Sequence, residues 1–313
     1  MKEHAVQDWH IPDQRGRRIV VTGAGSGLGL VVTRELARRG ADVVMAARDV
    51  AKAVRHRDAL PAEHPAATVQ VQPLDLLDLG SVRDFAAAVA AEPVDALLNV
   101  AGIAGGPLRL SAQGYESHFA TNHLGHFALT TLLLDALALG REPRVVTVSS
   151  DLYRFARLDL DGDDHLTGGP RYSAGRAYAR SKLANMVFGL ELDRRLRAAG
   201  SPVRSLLAHP GVARTPMNTG RTGGAPLHRI VEKLLVTTFA RTAADGALPV
   251  LYAATSPGLE GGSFLGPRTT FGPMRVAHVP VRGRAGDARL AERLWAESER
   301  LTALPRPPVS ARP

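Results

Sequence analysis

Tyr178 and Lys182 sit one helical turn apart in the stretch GRAYARSKLAN. A free phenol, with a pKa of about 10, is a poor proton donor or acceptor at neutral pH. An ammonium at i+4 shares its helix face and favours the phenolate, which makes the phenol usable for general acid/base work. The lysine stands out against its background, because only four of the 39 basic residues, Lys2, Lys52, Lys182 and Lys233, are lysine. Arginine would keep the charge, but its planar fork cannot place a compact cation beside a phenolate. A phenol so tuned suits a carbonyl that becomes an alkoxide as it accepts a hydride. A hydroxyl that donates to the same oxygen is offered by Ser149 or Ser150, in PRVVTVSS. Residues alternate sides as a strand ends, so only one of the two faces the site.

Hydride chemistry needs a dinucleotide, and VVTGAGSGLGLVVTREL offers a place for its phosphates. Gly23, Gly27 and Gly29 let the backbone turn sharply and come close to a pyrophosphate. Ser26 and Leu28 sit between these glycines, at the start of a helix whose free N–H groups and dipole attract an anion. The spacing is G-x-x-x-G-x-G, which differs from the G-x-G-x-x-G of the standard fingerprint. At the end of the next strand, DVVMAARD, an acidic residue would bond a ribose 2′-OH and an arginine would accept a 2′-phosphate. Arg48 in that place favours NADP, while Asp49 next to it leaves NAD open. Asp75 and Leu76 follow the third strand as an adenine-edge contact, with turn capping as the other reading of Asp75.

The elements that must position these residues alternate along the first two hundred positions. Strands are read at RIVVTG (18–23), ADVVMAAR, TVQVQPLDL, VDALLNVAG, PRVVTVSS and SPVRSLLAHPG. Helices are read at LVVTRELARRG, from an Asp49 cap to about Leu60, at SVRDFAAAVAAE with Ser81 as N-cap, through the whole of YESHFATNHLGHFALTTLLLDAL, and around Tyr178 and Lys182. Near-continuous apolar strands alternating with helices imply one α/β domain: a single Rossmann-type doubly wound parallel sheet with helices on both faces. Residues 1–16 read as an N-terminal arm, 17–303 as the dinucleotide-binding catalytic domain, and 304–313 as a disordered tail.

Composition narrows the function classes. The chain has 313 residues, a net charge of +9 and no cysteine. Disulfides, thiolate catalysis and cysteine-bound metals are therefore excluded. The arginines are scattered and only 5% of residues are aromatic, which argues against a nucleic-acid groove. No apolar run approaches the roughly 20 residues of a membrane span, and the N-terminus lacks the apolar core of a signal peptide. A cytoplasmic protein is the expectation. His123, His126 and His209 lack metal-ligand spacing and read as packing or capping residues, so no metal is expected.

TGAGSGLG, NVAG (99–102), NHLGHF (122–127), VSS (148–150), YARSK (178–182) and HPGVARTPM (209–217) occur in this order. Together they resemble the short-chain dehydrogenase/reductase family, in particular its retinol dehydrogenase and protochlorophyllide reductase branch. The resemblance spans roughly residues 9 to 303. It implies a catalytic tetrad of Asn122, Ser150, Tyr178 and Lys182, and so selects Ser150 over Ser149. It also implies that Lys182 bonds the nicotinamide ribose and that Asn122 holds a water in a proton relay behind Lys182. Asn99, Ala101 and Gly102 match the family's cofactor motif, whereas Val100 departs from its usual Asn. Pro210, Gly211 and Val212 would close over the nicotinamide, Thr215 would bond its carboxamide, and residues 214–240 would form a substrate lid with Met217 and Leu227 facing the substrate. The implied activity is an alcohol/carbonyl oxidoreductase using NADP by preference, with NAD open, on an apolar small molecule. Homodimers or homotetramers are common in the family. A cofactor-sensing binding protein of the same fold is the alternative, disfavoured because both Tyr178 and Lys182 are present.

Overall fold

The structure, a computed structural model, describes residues 9–60, 68–161, 164–170, 172–211, 242–269 and 274–304. Eight strands form one sheet: β1 (Arg18–Thr22), β2 (Asp42–Ala47), β3 (Val69–Pro73), β4 (Ala96–Asn99), β5 (Arg144–Val148), β6 (Arg204–Ala208), β7 (Phe264–Pro267) and β8 (Val276–His278). Their order is β3-β2-β1-β4-β5-β6-β7-β8, and every pairing is parallel except β7 with β8. The doubly wound parallel sheet expected from the alternating pattern is thus present, with a short antiparallel edge added. Strands β7 and β8, of four and three residues, were not anticipated. They are too short to carry a periodic signal, and their pairing is set by β6.

The central strands are largely apolar because both faces are covered, whereas the edge strand β3 (VQVQP) alternates and is only partly buried. In β1, Ile19 and Val21 enter one cluster while Val20 enters the other, and β2 divides Val43 and Met45 from Val44 and Ala46 in the same way. Helices α1 (Gly27–Arg38) and α8 (Ala243–Thr255) cover the first face, with Leu36, Val250 and Leu251 packed in it. On the second face α3 (Leu79–Val89) and α5 (Gly125–Ala138) supply Phe85, Phe127 and Leu133, while α7 (Ala174–Ala198) adds Phe188 and Leu192. Helix α2 (Val50–Asp58) follows β2, the short α6 (Asp164–Thr167) precedes α7, and α9 (Ala288–Thr302) sends Trp295 against Phe127 and Phe188. Residues 9–16 are not detached from the domain: Trp9 meets Tyr252 of α8 edge-to-face at 5.1 Å, and Ile11 is buried. Among the described residues no helix is long and apolar enough to cross a membrane.

Two local expectations are corrected. Helix α3 is capped by Asp78, whose carboxylate accepts from Gly80 N, whereas the Ser81 hydroxyl accepts from Asp75 N at 3.0 Å. The long helix expected from residue 115 onward is broken into α4 (Ser117–Phe119), a π-helical turn (Ala120–Leu124) and α5. The widened turn coincides with side-chain bonds that pull Asn122 toward Ile103, and with the close packing of Gly125 on the Leu76 carbonyl.

Candidate active site

Strand order reverses direction between β1 and β4, and open α/β sheets bind ligands in the crevice beyond the strand C-termini at such a switch. The glycine turn enters this crevice. Gly23 has φ +67°, and a Cβ there would stand 2.9 Å from Ala101 Cα, so a side chain at this position would collide with the turn after β4. A Cβ on Gly29 would overlap the carbonyl of Gly23. The Ser26 side chain makes no cap bond and the first turn of α1 holds no acidic residue, which leaves the helix N-terminus suited to an anion. Leu28 is partly buried against the core. We expect Gly29→Ala to weaken dinucleotide binding by tenfold or more, since the overlap is with backbone. Titration of the reduced nicotinamide's fluorescence measures this, and unchanged affinity would contradict the proposed phosphate turn.

Arg48 is exposed immediately after β2. Asp49 spends its Oδ1 on the N–H of Lys52, 2.9 Å away, as the cap of α2. Arg34, Lys52 and Arg55 surround the nearby His56; burial and then these three cations lower its pKa. The carboxylate of Asp75 closes a turn onto Leu77 N at 3.0 Å, which is the capping reading, and the Leu76 side chain joins the core. The Asn99 amide is buried and donates to Thr130 of α5 at 3.0 Å, so its side chain faces away from the crevice.

The ends of β4, β5 and α7 bring the other residues together. Asn122 is buried in the π turn; its Oδ1 accepts from Ile103 N at 2.8 Å, and its Nδ2 donates to Ile103 O at 3.0 Å and Ser181 Oγ at 2.9 Å. Ser181 Oγ in turn donates to Tyr178 O, 2.8 Å away. Lys182 is buried, donates to Val148 O at 3.0 Å, and holds Nζ 5.7 Å from the centroid of the partly exposed Tyr178 ring. Burial pushes the Lys182 ammonium down to about 8, so it remains mainly protonated at neutral pH. A Cβ on Gly102 would lie 3.2 Å from Asn122 Oδ1 and 3.6 Å from Lys182 Nζ, which puts this glycine between the two.

The two serines separate as strand alternation requires. Ser149 is buried and donates to Lys182 O at 2.9 Å, whereas Ser150 is partly exposed and accepts, at 3.4 Å, from Leu152 N at the head of the next turn. On the far side, Pro210 and Gly211 follow β6, and Gly211 has φ +69°. Val212, Thr215, Met217, Leu227 and the lid at 214–240 lie outside the described residues. Among those described, no group of three or more His, Cys, Asp or Glu is placed to hold a metal.

Two residues of this region were not singled out from the sequence. Ser181 links Asn122 to Tyr178, and its i+3 spacing from Tyr178 was the available signal. The hydroxyl of Thr22, at the end of β1, accepts from Val100 N at 2.9 Å and Ala101 N at 3.0 Å, so it shapes the NVAG turn. The three histidines are placed as packing or bonding groups: His123 meets Ser298 at 2.8 Å, His126 meets Thr22 and Asn122, and His209 accepts from Gly211 N at 3.3 Å.

A parallel switch-point crevice with a glycine-lined helix start, and a Tyr/Lys/Ser/Asn group at its other end, defines a nicotinamide-dependent oxidoreductase. The short chain dehydrogenase family profile matches residues 17–160, and the chain belongs to the short-chain dehydrogenase/reductase family. Within it the similarity is to the retinol dehydrogenase branch. Mouse polyprenol dehydrogenase is 40% identical over 300 residues, covering 93% of this chain and 85% of its own. Human retinol dehydrogenase 12 is 38% identical, covering 90% and 84%. Among solved structures, an uncharacterised protein of Mycobacterium paratuberculosis superposes with a TM-score of 0.79 at 44% identity, covering 95% of this chain and 98% of that one.

Proposed function

We propose that the protein is an NADP-dependent oxidoreductase acting on an apolar alcohol or the matching aldehyde or ketone, with Tyr178 as the general acid/base. The observation that supports this reading is the grouping of Tyr178, Lys182 and Asn122 through Ser181 and the Val148 carbonyl, with Ser150 two residues beyond that carbonyl in the chain. The crevice fits a dinucleotide: the Gly29 cradle has no room for a side chain, and the start of α1 is uncapped by a side chain. When bound, the nicotinamide supplies or accepts the hydride. Tyr178 gives a proton to the substrate oxygen during reduction and takes it back during oxidation. Lys182 favours the phenolate between those events, and its own hold on Val148 O keeps the ammonium in place. Ser150 donates to the substrate oxygen, and Asn122 joins the π turn to α7 through Ser181.

The preference for NADP rests on Arg48, because Asp49 caps α2 while the exposed Arg48 stands at the end of β2. Relatives named for retinol and polyprenol support an apolar alcohol as the substrate class. Purified protein mixed with NADPH or NADH and a panel of apolar aldehydes and ketones tests the reading through loss of reduced-nicotinamide absorbance. Absence of turnover across the panel would reject it. For Arg48→Ala we expect KM for NADPH to rise roughly tenfold or more, from a lost charge-assisted bond, with KM for NADH little changed. Equal effects on both would remove Arg48 from phosphate recognition.

A further inference from the structure

His126 lies outside the proposed tetrad, yet it touches two parts of the site at once. Its Nδ1 is 3.0 Å from the carbonyl oxygen of Asn122, one turn back in the π segment. Its Nε2 is 2.9 Å from the hydroxyl of Thr22 at the end of β1. The ring is buried, so both contacts are dry. A lone pair on Nδ1 would face the lone pairs of a carbonyl, so Nδ1 carries the proton. Nε2 then accepts, and among the described residues the Thr22 hydroxyl is the donor against it. Thr22 has one proton and two candidate acceptors, Nε2 at 2.9 Å and Leu98 O at 3.2 Å. The amides of Val100 and Ala101 occupy both lone pairs of the Thr22 oxygen, so Nε2 has none to donate to and the hydroxyl proton is the contact it can receive. The result is a continuous path from the turn after β4, through Thr22 and the imidazole, to the Asn122 carbonyl.

We propose that His126 is a positioning residue, a neutral Nδ1–H imidazole that locks the cofactor-side turn to the Asn122 carbonyl. The Asn122 side chain bonds Ile103 and Ser181, which ties it to the turn after β4 and to α7, while its backbone carbonyl faces the imidazole. His126 holds that carbonyl in direction. Because the inference rests on the oxidoreductase reading, its test needs a measurement independent of turnover. Among the described residues the charged group that acts on the ring is Lys182 from α7, which opposes a second positive charge beside it. Burial is the larger cause of its resistance to protonation, and together they push His126 down to about 4.

Long-range proton–nitrogen NMR on labelled protein reads the tautomer directly. One histidine, identified by its loss in His126→Asn, is expected to show a protonated Nδ1 and a bare Nε2 that persist as the pH falls through 6. An Nε2–H tautomer, or an imidazolium at pH 7, would overturn the proposal. Two variants then divide the arms. His126→Asn places an amide where Nδ1 was and keeps the bond to Asn122, so it should raise the NADPH dissociation constant by a larger factor than it lowers kcat. His126→Gln reaches the Nε2 position and keeps Thr22, so it should lower kcat by the larger factor. Each dominant effect is expected to be roughly tenfold, the size of one lost buried hydrogen bond. The same ordering in both variants would count against the two-arm role. Should a variant fail to fold, the wild-type tautomer still decides. A protein that binds NADPH and shows this tautomer but turns over no carbonyl would refute the enzymatic reading alone.

Discussion

Tyr178→Phe is expected to lower kcat by roughly 10²–10⁴-fold, the usual contribution of a positioned acid/base, while NADPH binding stays near that of the wild type. The substitution removes one oxygen and keeps the ring, so the start of α7 and its Ser181 bond to the backbone of residue 178 persist. Lys182→Arg is the matching change on the partner. The ammonium sits in a buried space bounded by Val148 O and Gly102, and a guanidinium is too wide for it. Turnover should fall by a comparable order with folding retained, as judged by circular dichroism. Full activity in Tyr178→Phe, measured by single-turnover kinetics, would remove the phenol from the reaction.

The largest effect on stability is expected far from the crevice, at Arg144. This arginine begins β5 with its side chain buried, and donates to Ala253 O at 3.3 Å and Ser256 O at 2.8 Å at the end of α8. It also donates to Glu142 O at 3.2 Å and Glu142 Oε2 at 3.1 Å. Burial, with Arg17 close by, pushes its guanidinium down to about 10, which leaves it charged at neutral pH. A cation at a helix C-terminus also meets the negative end of the dipole. Arg144→Leu leaves at least two buried carbonyls without donors, at a cost of about 3 kcal/mol. For a chain of this size that lowers Tm by about 4–6 °C. Thermal unfolding followed by circular dichroism checks this, and a shift under about 2 °C would mean that the α8 carbonyls find other donors. Dinucleotide affinity should be unaffected, since β5 starts at the opposite end of the sheet from Ser150.

Much of the fold was legible because its signals are local. Alternating apolar strands and amphipathic helices marked six of the eight strands, and Gly23, Gly27 and Gly29 marked the strand-to-helix turn. Asp49 was read correctly as the cap of α2. The signals failed where the deciding partner is distant. The run of helix formers after residue 115 looks continuous, yet Ile103 and Ser181 draw Asn122 into a π turn. Ser81 looks like a cap, but its hydroxyl is taken by Asp75 N. Arg144 looks like one of many arginines until the end of α8 is folded against it.

By itself the sequence determined the local spacing: a phenol and an ammonium one turn apart on one helix, and glycines at the turn between the first strand and the first helix. Those relations need only the helix period and the size of a side chain. The tertiary structure alone decided what the two adjacent serines bond, Ser149 the Lys182 carbonyl and Ser150 the Leu152 amide, and that the Asn122 side chain bonds Ile103 and Ser181. It also turned His126 from a packing residue into a bridge between Thr22 and Asn122. Buried hydrogen bonds are the reason, because a polar group inside the fold takes whichever partner the packing brings within 3 Å or so, and sequence distance has no part in that choice.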